Sequence, residues 1–183
     1  MDKAKTISCP LDNHFRLSSK QNPFTNKEKE EMDKVSYASV VGSLMYVMVC
    51  TWLDIAYSVG VVSRFISNLG KEHWTIVKEI FRYLHGAFKI CLCFEDTKPM
   101  LVGYTNADIV GDVDSRKSTL GYLITFIGGT MSWQSKLKKC FTISTIEVEF
   151  IVTIEAYKEL LWMKKSLNEL VFQQDRYQLF CDK

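Results

Sequence analysis

The sequence predicts an α+β protein, a helical first half followed by a mixed sheet crossed by one long helix, and three observations carry that prediction. Apolar residues recur at helical spacing as far as Leu84, the alternation shortens to a period of two from Ile90 onward, and a long amphipathic stretch separates the last strand signal from the earlier ones. The expected organisation is an irregular leader with a short surface helix over residues 1–35, a helical region over 36–98, and a sheet domain over 99–183. The boundary between the halves falls loosely between Gly86 and Pro99.

Taken in order, residues 1–24 are polar and irregular, and Thr25-Asn26-Lys27-Glu28 then forms a capping-box pattern ahead of a charged surface helix. From Tyr37 to Asn68, small residues (Ala38, Ser39, Gly42, Ser43, Ala56, Gly60) lie among large apolar ones, as in closely packed helices, with a break near Thr51 to Leu53. An Asn68-Leu69-Gly70 turn introduces a third helix, marked by Trp74, Val77, Phe81 and Leu84 and ending near Gly86. Ile90, Leu92 and Phe94 alternate with Cys91, Cys93 and Glu95, which predicts a strand, and Thr97-Lys98-Pro99 turns the chain into a second strand at Leu101. Gly121 to Phe126 and Thr130 to Gln134 flank Gly128-Gly129, a hairpin signal. A short strand over Cys140 to Ile143 precedes a helix from about Thr145 to Leu170, with Phe150, Ile154, Leu161 and Leu167 on its apolar face. Tyr177 to Asp182 is the last strand, and reaching it across a helix predicts a parallel pairing.

Composition removes several function classes. The chain has 183 residues, 47% of them hydrophobic, enough for one domain or two small ones and unlike a disordered or collagenous sequence. Its 23 basic and 21 acidic residues nearly cancel, so binding to nucleic acid would need local patches rather than a whole-chain field. The six cysteines form no CxxC pair, and no secretory segment opens the chain, so they are expected to be buried small hydrophobes in a reducing, intracellular setting, cytoplasmic or nuclear. Val40 to Val49 is too short for a membrane span, which needs about 20 residues, and no membrane partner is expected.

The strand beginning at Leu101 carries the chemistry. A period of two places Asn106 and Asp108 on one face, and the topology could gather Asn106 or Asp108, Glu147 or Glu149, and Asp182 at one sheet edge. Hard oxygen donors so grouped suit magnesium and phosphodiester chemistry, whereas Glu147, Glu149, Glu155 and Glu159 could equally just solvate a helix face. His14, His73 and His85 have no partners arranged for a triad and are expected at the surface or in packing.

Several motifs in fixed order then resemble one family. They are Tyr37-Ala-Ser-Val-Val-Gly-Ser-Leu-Met-Tyr46, Asp54-Ile-Ala-Tyr57, Arg82-Tyr83-Leu84, Gly103-Tyr-Thr-Asn-Ala-Asp108, Ser115-Arg-Lys-Ser-Thr119, Gly121-Tyr122, Ser132-Trp-Gln-Ser-Lys136, Glu147-Val-Glu-Phe150 and Phe180-Cys-Asp182. Over essentially the whole chain they resemble the Pol polyprotein of Ty1/copia-type LTR retrotransposons. The resemblance implies that residues 36–98 correspond to the thumb- or connection-like end of a reverse transcriptase. It implies that residues 99–183 begin a ribonuclease H-like domain, truncated at its C-terminus, of a kind that cleaves the RNA strand of an RNA–DNA hybrid with Mg2+. The remainder of a Pol polyprotein would be its partner in an intact element.

Carried over by position, the family's first catalytic Asp falls at Asn106, its helix Glu at Glu149 and its second Asp at Asp182, with Asp108, Glu149 and Asp182 left as candidate metal ligands. An amide supplies an oxygen without charge where the bridging anion belongs, so the resemblance implies a copy without catalysis. The alternatives are residual magnesium-dependent cleavage through Asp108, Glu149 and Asp182, or a non-catalytic nucleic-acid-binding module. For the latter, Lys136, Lys138 and Lys139 beside Trp133, and Arg116 with Lys117, are candidate hybrid contacts, against the reading that they are solvated loop ends. Trp52-Leu53 stands where the family usually has Arg-Pro, Leu69 where it has Pro, Leu120 where it has Ser and Val148 where it has Ala, and each change is expected to expose apolar surface or loosen a turn at a cost in stability.

Overall fold

The computed structural model describes residues 5–11, 17–23, 25–50, 52–91, 93–94, 99–108, 112, 114–138, 144–170, 172 and 176–181. Among them are five α-helices and a four-stranded mixed sheet, divided between two compact units, residues 1–90 and 91–183. No helix in the described residues is long and apolar enough to cross a membrane.

The first unit is helical. Helix α1 (Asn26–Asp33) starts where the capping pattern places it: the Thr25 hydroxyl accepts the Glu28 N–H at 3.3 Å, and the Glu28 carboxylate accepts the Thr25 N–H at 3.3 Å. Helix α2 (Tyr37–Cys50) and helix α3 (Ala56–Val62) are separated by a single 3-10 turn at Leu53–Ile55, and helix α4 (Lys71–Ala87) follows the Gly70 cap. Val41, Leu44, Ile55, Val59, Val62, Ile76, Val77 and Ile80 close one contiguous core. The Tyr37 hydroxyl enters it and donates to the Val62 carbonyl at 2.8 Å, and burial pushes the phenol's pKa well above its usual value. Ala56 is buried as expected of a small packing residue, but Gly42 and Gly60 open on to empty space and mediate no close approach.

Two departures from the family pattern act differently from expectation here. Trp52 and Leu69 pack against this core instead of exposing apolar surface, so the core has absorbed them.

The second unit is built on strands β1 (Leu101–Asp108), β2 (Thr119–Phe126), β3 (Gly129–Leu137) and β4 (Tyr177–Cys181), in the spatial order β3-β2-β1-β4. The first three run antiparallel in sequence, and β4 lies parallel to β1, reached across helix α5 (Thr145–Glu169). The β2–β3 hairpin turns on Ile127 and Gly128, with φ of 51° and 73°, rather than on the glycine pair; two successive left-handed residues match the twist of the flanking strands. Of the strand expected over residues 90–95, the described residues Ile90, Cys91, Cys93 and Phe94 belong to no strand, because alternation specifies an extended segment but not a ladder partner. The short strand expected at Cys140 to Ile143 lies outside the described residues.

Helix α5 covers the sheet face of Leu101, Gly103, Thr105 and Ala107. Its buried stripe is Val148, Val152, Ala156, Leu160, Met163 and Leu167, spaced by three or four. Of the expected apolar face only Leu167 is buried: Phe150 is 64% exposed and Leu161 43% exposed. The helix is apolar on more than one side, so periodicity alone did not tell which side meets the sheet. Gly103 permits the close approach, since a Cβ there would stand 2.9 Å from the Leu160 side chain and 2.7 Å from that of Leu179.

Candidate functional site

The site expected from sequence lies where the carboxyl ends of β1 and β4 meet the first turns of α5. Thr105 is aligned with Cys181 across the parallel pairing, and its hydroxyl donates to the Phe180 carbonyl at 3.5 Å. Thr153 lies one turn along the helix from Glu149, donates to its carbonyl at 2.7 Å, and places its hydroxyl 3.4 Å from the Cys181 sulfur. Beneath this junction Leu120, Val148 and Val152 form a small buried cluster with Ala107 and Ile151 packed on it. Leu120 and Val148 are two further departures from the family pattern, and both are buried in this cluster, which corrects the expectation that such changes expose apolar surface.

The two helix glutamates have different surroundings. Glu147 is held by Lys138 at 3.1 Å, which ties it to the end of β3. Glu149, half-buried, lies on the Thr153 side, where Cys181 of β4 is found. Of the pair left open by spacing, Glu149 is the one that stands one helical turn before Thr153, the residue beside Cys181.

Asn106 is exposed and occupies the strand position between Thr105 and Ala107, both of which face α5, so the pleat sets its amide on the opposite face of the sheet from the helix. Asp108 shares that face and is also exposed, aligned with Thr119. Asp182 lies outside the described residues. Among the described residues no three His, Cys, Asp or Glu side chains come together as a cation site.

The candidate nucleic-acid contacts divide by the same parity. Lys136 and Lys138 are on the helix side of β3 and are paired with Glu155 at 2.7 Å and Glu147 at 3.1 Å, so both cations serve to clamp α5 across the strand. Ser132 donates to Glu159 at 3.0 Å in the same seam, whose carboxylates, after burial, help push the Tyr122 phenol's pKa up. Trp133 pairs with Leu123 on the opposite face, so sequence proximity to Lys136 and Lys138 does not become a shared surface. Lys139 lies outside the described residues.

Arg116 and Lys117 belong to a loop whose organiser sequence reasoning missed. Asp112 is buried, and its carboxylate accepts the Ser115 N–H at 2.9 Å and the Ser115 hydroxyl. Its backbone carbonyl accepts the Arg116 N–H at 2.8 Å, and its N–H donates to the Lys117 carbonyl at 3.2 Å. Arg116 is thereby held exposed with a φ of 51° at the end of the sheet where β1 closes and β2 opens. The Asp-x-x-Ser spacing was the available signal, because a short acidic side chain readily accepts from the backbone N–H three residues on.

No family model matches the chain, and no solved structure does. Among curated proteins its homologues are retrovirus-related Pol polyproteins of transposons. More narrowly, it is a Pol polyprotein fragment of the Ty1/copia type, being 56% identical over its full length to the Pol polyprotein from transposon TNT 1-94 of Nicotiana tabacum. It spans 14% of that polyprotein. It is also 31% identical over 82% of its length to the Pol polyprotein from transposon RE2 of Arabidopsis thaliana, covering 10% of it. A third relative, 42% identical over 72% of this chain and matched over 94% of its own length, is named secreted RxLR effector protein 161, of Plasmopara viticola.

Proposed function

We propose that residues 99–183 belong to a ribonuclease H-like domain whose magnesium chemistry has been lost, and that the helical unit before it belongs to a reverse transcriptase. The observation that carries this reading is the chain path: three antiparallel strands, a helical crossover, and a fourth strand parallel to the first, with Asn106 at the end of the central strand. Open sheets place their chemistry at the carboxyl ends of parallel strands, and that is the end of β1 on which Asn106 lies and beside which α5 begins. In an active relative a carboxylate at position 106 would help to hold the magnesium that activates water and stabilises the leaving oxygen. An amide offers neither the charge nor a second anionic oxygen.

The test is Mg2+-dependent cleavage of an RNA–DNA hybrid by the purified chain. The reading expects no cleavage above background. Cleavage that disappears in Glu149→Gln would overturn it and establish residual catalysis.

A binding role without chemistry rests on one observation, the exposed Arg116 held at the end of the sheet. It expects hybrid binding that weakens with salt and is reduced in Arg116→Glu, whereas binding indifferent to that change would remove it.

A further inference from the structure

We propose that Cys91 and Cys93 form a two-thiolate site for a soft divalent cation of the zinc and cadmium class. Their sulfurs stand 3.8 Å apart and both residues are exposed. A disulfide needs sulfurs at about 2.05 Å, so the pair is not poised for that bond. A tetrahedral ion with metal–sulfur bonds of about 2.3 Å places two of its sulfur ligands about 3.8 Å apart, and the observed separation matches that edge.

Three further features fit such a site. The segment is anchored beside the thiols, because Phe94 lies directly on Gly129 at the start of β3; a Cβ at that glycine would come within 2.3 Å of the ring. Two protein thiolates leave the other positions of a tetrahedral ion to further donors. Thiolate ligands select borderline and soft ions over magnesium, which separates this site chemically from any carboxylate site at the sheet end. On binding, each thiol gives up its proton, two metal–sulfur bonds form, and two protons enter solvent for each ion taken up. The inference does not depend on the lost-nuclease reading, since it uses neither Asn106 nor Glu149.

The test uses the full, reduced, metal-free chain titrated with Cd2+, following the ultraviolet thiolate-to-cadmium absorption and the release of protons. The expected result is a tight site lost in both Cys91→Ser and Cys93→Ser, with affinity falling on the order of tenfold or more in each. Cys9→Ser, Cys50→Ser and Cys181→Ser should leave it intact, and Gly129→Ala, which displaces Phe94, should weaken it while the circular dichroism spectrum is retained. Cadmium bound equally well by Cys91→Ser, or a tight site that follows any of the other cysteines, would overturn the assignment.

Discussion

Among the described residues the helical unit closes on one contiguous core, whereas the sheet unit is held by two separate apolar clusters with a polar seam beside them. In the first, Val41, Ile55, Val59, Ile76 and Ile80 belong to a single packed group. In the second, Leu101, Ile124, Leu160 and Met163 form the main cluster, and Leu120, Val148 and Val152 form a smaller one at the carboxyl end of β1. Apolar packing is therefore continuous in the helical unit and divided in the sheet unit, where Leu120 and Val148 share the smaller cluster.

The comparison can be strained at its strongest point first. Ile76→Ala empties the middle of the helical core and should cost about 3 kcal/mol in urea unfolding, a value that a loosely packed core would not reach. Leu120→Ser should cost about 2 kcal/mol even though it moves the sequence toward the family pattern. Val148→Ala should cost about 1.5 kcal/mol, and the double change less than the sum, because each removes the other's neighbour. Strict additivity, or a gain in stability from Leu120→Ser, would show that these residues are unrelated damage.

A smaller effect follows from Tyr83, whose pKa is pushed up to about 12 by burial and then by the Asp54 carboxylate that accepts its hydrogen bond. The folded state holds the proton more tightly than the unfolded chain, in which the phenol titrates near 10. This contribution is complete below pH 10 and is lost as pH rises toward 12, so stability should decline through that window, with a shallower decline in Tyr83→Phe. The smallest effect belongs to the seam: Lys136→Ala should change stability by less than about 0.5 kcal/mol and less still in high salt, because the pair is partly exposed.

What the sequence disclosed divides along a physical line. The α1 cap, the break after α2, the hairpin and the parallel return of β4 were legible because each is written in local spacing or turn chemistry. The segment carrying Cys91 and Cys93 was misread as a strand, since alternation cannot supply a partner. Its cysteines, with Cys9, Cys50 and Cys181, are exposed rather than buried. The buried side of α5 depended on which of two apolar stripes the sheet selects, and the fate of Trp52, Leu69, Leu120 and Val148 depended on tertiary neighbours that spacing does not name. At the candidate site, parity on β1 was enough to place Asn106 with Asp108, and parity on β3 would have separated Trp133 from Lys136 and Lys138.

The central proposal is that the amide at position 106 removes the magnesium chemistry that the family's carboxylate would supply there. Its most direct measurement compares hybrid cleavage, in Mg2+, by two proteins that share a complete family C-terminus, one with Asn106 and one with Asn106→Asp. The account predicts cleavage by the aspartate protein alone, abolished again by Glu149→Gln. Equal cleavage by the asparagine protein would contradict it.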